Sequence, residues 1–243
     1  MNGLRADLLL VELGLFESRA KARSAIEAGR VQADGRLVAK PAEILARDAA
    51  IVAEPAHPWV GRGALKLDHA LSLWPVQVEG RIVLDLGAST GGFTEVCLAR
   101  GAAKVFAVDV GHGQLHARLQ ADPRVVNLEG TDARTLDRDL VPEPPELVVC
   151  DASFIGLAKV AGSALDLAAE RADFVTLVKP QFEVGRDQIG KGGLVRDANA
   201  RAEAVQAVKD WLSGLGWTIQ ATAESPIRGG DGAVEHLLWA DRG

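Results

Sequence analysis

The chain has 243 residues, enough for one sizeable core or for one core with a small appended module. Its hydrophobic share of 48% and charged share of 25% are those of an ordinary globular protein and argue against a disordered chain. A net charge of -6 excludes a protein coated in positive charge, though not one that binds nucleic acid through a local basic cluster.

The first residues, MNGLRADLLLVELGLF, carry Asp7 and Glu12 inside their apolar pattern, which the core of a signal peptide lacks. No apolar run reaches the roughly 18 residues needed to span a bilayer. Apolar and small residues at helical spacing instead predict helices over 5–13 and 18–28, with Gly14 and Gly29 as stops and Ser18 as an N-cap. RVQADGRLV then predicts a hairpin turning at Asp34-Gly35, and Ile44 and Ile51 follow Lys40-Pro41, completing a small module over 1–53. Between 19 and 40 this module holds Arg19, Lys21, Arg23, Arg30, Arg36 and Lys40 against only Glu27 and Asp34. EPAHPWVGRG, residues 54–63, reads as a linker.

From Ile82 onward, within a domain over 64–243, apolar strands alternate with amphipathic stretches at 93–100, 114–121, 157–171 and 199–215. This alternation predicts an α/β fold with a doubly wound parallel sheet. The last two strands, in WTIQATAESP and AVEHLLWA, are separated by RGGDG and are expected to pair antiparallel at the sheet edge. Cys97 and Cys150 form no CxxC pair and lie in apolar runs, so buried thiols in a reducing, cytoplasmic setting are expected. His112 and His116 stand four apart without an HExxH motif, and no metal site is expected.

The stretch VLDLGASTGGF reads as strand, glycine-rich turn and helix start, with Gly87, Gly91 and Gly92 allowing close approach of a ligand. Its spacing departs from GxGxxG, and the phosphate-loop pattern GxxxxGK[ST] is absent. Asp109, closing the strand KVFAVD, stands where a carboxylate takes the ribose hydroxyls of a bound nucleoside, and it would serve a dinucleotide equally well. A dinucleotide-dependent oxidoreductase therefore stays open at this point. FVTLVKPQFE ends an apolar strand with Lys179 and Pro180. A lone lysine there is most simply a solvated charge.

SRAKARSAIEAGRVQADGRLVAKP resembles the S4 RNA-binding domain, and that resemblance implies Arg19, Lys21, Arg23 and Arg30 as phosphate contacts. Ala6 departs from the leucine usual there. DLGASTGGF resembles the cofactor loop of the FtsJ-like class I (Rossmann-like) methyltransferases. With DVGHGQL, CDASF, LVKPQFE and KGGLVRD, the chain resembles over nearly its full length the TlyA family, ribosomal RNA 2'-O-methyltransferases historically also called haemolysins.

The resemblance implies S-adenosylmethionine as cofactor and ribosomal RNA or ribosomal subunits as partner, with cytidine ribose as the target, no membrane and no obligate protein partner. It implies a cofactor pocket of Gly87, Ala88, Ser89, Gly91, Gly92 and Phe93, with Asp109 on the ribose, Asp132 near the adenine and Asp151 close to the methyl donor. The TDART segment around Asp132 could equally cap a helix. It further implies a catalytic Lys-Asp-Lys-Glu tetrad, matched in order by Lys66, Asp151, Lys179 and Glu235. Ala64, where such sequences have glycine, could stiffen the turn before Lys66.

Residue chemistry points the same way. Exocyclic-amine methylation calls for Asn or Asp followed by two prolines and an aromatic, and carbon-5 methylation of a pyrimidine needs an available cysteine. A ribose hydroxyl needs a base within hydrogen-bond reach, and a lysine serves only when neutral, as a second nearby lysine favours. Two other functions remain as alternatives: a membrane-active haemolysin, for which no spanning segment or strongly basic amphipathic helix speaks, and an RNA-binding protein with an inactive methyltransferase-like fold.

Overall fold

A computed structural model describes residues 3–229 and 232–243; Met1, Asn2, Gly230 and Asp231, and with the last two part of the RGGDG turn, lie outside the described residues. The chain divides into two compact units, Met1–Pro58 and Trp59–Gly243.

In the first unit, α1 (Ala6–Glu12) and α2 (Arg19–Glu27) pack through Leu9, Leu10, Ala22, Ala25 and Ile26. Ser18 caps α2 by accepting the Lys21 amide, and Gly14 and Gly29 follow the two helices at φ 70° and 69°. β1 (Leu4–Arg5) pairs antiparallel with β4 (Ile44–Leu45). β2 (Val31–Ala33) lies between β3 (Arg36–Leu37) and β5 (Ile51–Ala53). Asp34 and Gly35 both take positive φ, as a two-residue hairpin turn demands.

The second unit opens with α3 (Ala64–Leu73). It continues with β6 (Ile82–Leu86), α4 (Gly92–Ala99), β7 (Lys104–Asp109), α5 (Ala117–Gln120), β8 (Val125–Glu129), β9 (Leu147–Cys150), α6 (Leu157–Leu167) and β10 (Ala172–Val178). α7 (Pro180–Glu183), α8 (Ala198–Gly214), β11 (Thr218–Glu224) and β12 (His236–Arg242) complete it. Seven strands form one sheet in the order β11-β12-β10-β9-β6-β7-β8. β6 to β10 run parallel, and their near-continuous apolar runs are buried on both faces, with Leu84, Val148 and Phe174 in one core and Val83, Val149 and Val175 in the other. The chain leaves β6 toward β7 on one side and returns as β9 on the other, so a crevice opens beyond the carboxyl ends of β6 and β9.

The last two strands pair antiparallel at the sheet edge as expected, with β12 inserted antiparallel between β10 and β11 and β11 outermost. Two expectations are corrected. The helix expected over 114–121 shrinks to α5, because Glu129 Oε1 accepts the Gln114 and Leu115 amides and holds that backbone outside a helix. The helix expected to run to 171 stops at Leu167, and the Ala168 and Ala169 carbonyls turn to accept hydrogen bonds from the Arg242 guanidinium.

Candidate active site

Four elements deliver a charged side chain each to one point. Lys66 projects from the first turn of α3, Asp151 follows β9, Lys179 follows β10, and Glu235 precedes β12. Parallel β9 and β10 end side by side, while antiparallel β12 begins opposite the end of β10, with His236 across from Val178. The sheet order thereby gathers residues far apart in sequence.

Asp151 bridges the two lysines: its Oδ2 lies 3.4 Å from Lys66 Nζ and its Oδ1 lies 2.7 Å from Lys179 Nζ. Lys66 Nζ also pairs with Glu235 Oε2 at 2.7 Å. Lys66, Lys179 and Glu235 are all buried. Two cations and two anions balance, so that no single charge is left without a counter-charge in a low-dielectric recess. The solvated-lysine reading of Lys179 is corrected: it is 6% exposed, because the strand register carries its stem inward beside Asp151. Its ammonium also donates to the Asp151 carbonyl at 3.0 Å and to Ser153 Oγ at 2.7 Å.

The glycine-rich loop wraps the adjacent end of β6. At Gly87, with φ 80°, an added Cβ would lie 2.9 Å from Ala152 Cα, so the loops after β6 and β9 meet backbone to backbone. A cavity of about 620 Å³ opens beside them, large enough for a nucleoside-sized ligand. Gly87, Ser89, Asp109, Asp132 and Asp151 line it, with Val110, Arg134, Ser153 and Phe154. Ala88, Gly92 and Phe93 line instead the neighbouring recess that holds the tetrad, and Gly91, at φ 94°, is covered by Leu115 and Leu119. Asp109 takes the Ser89 amide on Oδ2 and the Gly111 amide on Oδ1, and each oxygen retains capacity for a further hydrogen bond. Asp132 both lines the cavity and caps the 3-10 turn 133–135, and the Arg134 guanidinium holds its carboxyl down at about 2.

Other polar groups near the site are spectators of this arrangement. Asp85, wholly buried in β6, accepts a hydrogen bond from Thr94 Oγ1 at 2.6 Å, and burial pushes its carboxyl up to about 7. Burial pushes the Cys150 thiol up to about 12 and the Cys97 thiol well above its usual value, so neither is a nucleophile.

Two residues escaped the sequence reading. Ser153 and Phe154 lie in the quoted CDASF motif, which gave them no role of their own. Phe154 has φ 69° and is 92% exposed at the cavity mouth, a conformation costly for a bulky residue.

The basic side chains expected to meet RNA are all present on α2 or just beyond it, and each is paired. Arg19 binds Asp7 Oδ2 at 2.9 Å, Lys21 pairs with Glu17, Arg23 lies 4.0 Å from Glu27, and Arg30 lies 3.4 Å from Glu54. Asp7 is wholly buried, and the Arg5 and Arg19 guanidiniums hold its carboxyl far below the usual range.

The family model for FtsJ-like methyltransferase matches residues 59–242, and that for the S4 domain matches residues 4–51. A Mycobacterium tuberculosis protein named 16S/23S rRNA (cytidine-2'-O)-methyltransferase TlyA is 48% identical over 97% of this chain and 88% of its own length. The chain belongs to the TlyA family of FtsJ-like methyltransferases. A Brachyspira hyodysenteriae protein named Hemolysin A is 36% identical over 96% of this chain and 98% of its own. A solved structure from Streptococcus thermophilus, 36% identical, superposes with a TM-score of 0.78 over 100% of this chain and 89% of that one. The S4 match and the FtsJ-like match fall on separate compact units, and among the described residues no helix is long and apolar enough to cross a membrane. The glycine-rich loop DLGASTGGF is the one that closes on Ala152 at the switch point of the sheet.

Proposed function

We propose that this chain transfers a methyl group from S-adenosylmethionine to the ribose 2'-oxygen of cytidine in ribosomal RNA. The observation that carries this reading is the ion-paired quartet of Lys66, Asp151, Lys179 and Glu235, all but Asp151 buried, beside a nucleoside-sized cavity. The activity named for the Mycobacterium tuberculosis relative supports the substrate.

The cavity suits the cofactor by its volume, by the glycine at the point of closest approach and by carboxylates at its rim. Gly87 and Ser89 would hold the cofactor with Asp109 at the ribose hydroxyls, Asp132 near the base and Asp151 nearest the reacting end. When bound, it supplies a carbon made electrophilic by an adjoining sulfonium. Everything else is the work of the chain's own groups: to hold the ribose hydroxyl facing that carbon and to remove its proton.

Lys179 accepts the proton. Lys66 has two carboxylate partners among the described residues, which leaves one of its N–H groups to donate to a ribose or phosphate oxygen. Asp151 and Glu235 fix the positions of the two nitrogens. Phe154, exposed at the mouth and 5.6 Å from the Phe182 ring, offers a face on which an unstacked base rests. Arg19, Lys21, Arg23 and Arg30 contact RNA phosphates, which displace their carboxylate partners, with residues 1–53 as the RNA-binding module and 54–63 as its linker.

Purified protein with methyl-labelled S-adenosylmethionine tests the reading. Label is expected on ribosomal RNA or on subunits, in an alkali-resistant cytidine-containing dinucleotide. Label on a base, or none on RNA, contradicts it. Lysis of red cells by pure protein without RNA methylation would favour the haemolysin alternative.

A further inference from the structure

Lys179 has two directed hydrogen bonds, to the Asp151 carbonyl and to Ser153 Oγ, and an ion pair with Asp151 Oδ1. A carbonyl or an ionised carboxylate can only accept, so both remain partners of N–H groups whichever protonation state the lysine takes. A hydroxyl can donate as well as accept. When Lys179 is the neutral amine that a base must be, its lone pair can face only the Ser153 hydroxyl or whatever replaces it. Ser153 is also well placed for a ligand: it is exposed, it lines both the large cavity and the tetrad recess, and its oxygen stands 2.7 Å from the nitrogen. Lys179 itself is 6% exposed and lines only the recess.

We propose that the Ser153 hydroxyl relays the proton of the target ribose to Lys179. This rests on Lys179 as proton acceptor. In the step, the ribose O–H bond breaks as that hydrogen bonds to Ser153 Oγ. The Ser153 O–H bond breaks as its hydrogen bonds to Nζ. Lys179 ends as ammonium, Ser153 ends as the hydroxyl it began as, and the ribose oxygen keeps the electron pair with which it attacks carbon. Lys179 returns to the amine by losing a proton to solvent.

The test compares Ser153→Ala, Ser153→Thr and Lys179→Ala with the wild type in single-turnover methyl transfer, alongside S-adenosylmethionine and RNA binding by calorimetry. Ser153→Ala is expected to slow transfer about 100-fold, at the lower end of general acid–base contributions, with both affinities within about twofold of wild type. Ser153→Thr, which keeps a hydroxyl, is expected to recover most of the rate. In mixtures of H2O and D2O, a bowed rate dependence, from two hydrogens in flight, is expected of the wild type. A Ser153→Ala enzyme at wild-type rate, while Lys179→Ala is inactive, overturns the relay and leaves the lysine as direct base. Ser153→Ala that is slow but not recovered by threonine, or that has lost cofactor binding, overturns it in favour of a structural role. A Lys179→Ala enzyme at wild-type rate overturns the underlying assignment instead.

Discussion

Among the described residues Asp151 is the one carboxylate that touches both lysines of the recess, and Lys66 and Lys179 are almost wholly desolvated around it. Replacing it by asparagine leaves two neighbouring ammonium groups with only Glu235 to balance them. Asp151→Asn is therefore expected to lower unfolding free energy by about 3 kcal/mol, read by denaturant titration, in addition to abolishing transfer. A variant as stable as wild type would mean that solvent or a rearranged Glu235 screens the pair. Asp85 makes a second residue-scale prediction. Its carboxyl titrates higher in the folded chain than in the unfolded one, near 7, because it is wholly buried. The folded state then binds the extra proton, so stability falls as pH rises from the ordinary carboxylate range to about 7 and is flat beyond. The slope from this group is at most about 1.4 kcal/mol per pH unit. Asp85→Asn, which mimics the neutral acid, should flatten the stability profile over that window, and an unchanged profile would contradict the assignment.

At the scale of elements, α2 carries two arginines that the sequence treats alike and the structure does not. Arg23 lies 4.0 Å from Glu27 with both side chains more than half exposed, a pair that adds little to stability. Arg19 is one of the two guanidiniums that neutralise wholly buried Asp7. Both Arg23→Ala and Arg19→Ala are expected to weaken RNA binding and reduce its salt slope by about 1 each. Only Arg19→Ala is expected to lower the melting temperature clearly, and equal melting temperatures would remove its second role. Helices α1, α2, α4 and α8, the Asp34-Gly35 turn and the parallel strands were legible in the sequence, since periodicity, caps and glycine positions encode them locally. The place of β12 was not. Two strands joined by a short turn pair antiparallel in either order, and only the packing of Leu237 and Leu238 into the two cores decides that β12 lies inside β11.

For the molecule as a whole, the recess exists because sheet topology joins positions separated by up to 169 residues, from Lys66 to Glu235, a separation that no local pattern reveals. Taken alone, Lys179 read as a solvated strand end. The ordered quartet was legible only through resemblance to TlyA-like sequences, and Ser153 and Phe154, set by loop conformation, stayed invisible. Two compact units, one matching the S4 domain and one the FtsJ-like methyltransferase, give the chain a module with a basic helix and a second unit with a recess of paired charges. The central claim is that Lys179 receives the ribose proton. Mapping 2'-O-methylcytidine in ribosomal RNA after incubation with wild-type and Lys179→Ala protein, each saturated with S-adenosylmethionine, tests it most directly. The modified cytidine should appear with the wild type and be absent with Lys179→Ala, although the variant still binds the cofactor. The same cytidine modified at a comparable rate by Lys179→Ala would contradict the account.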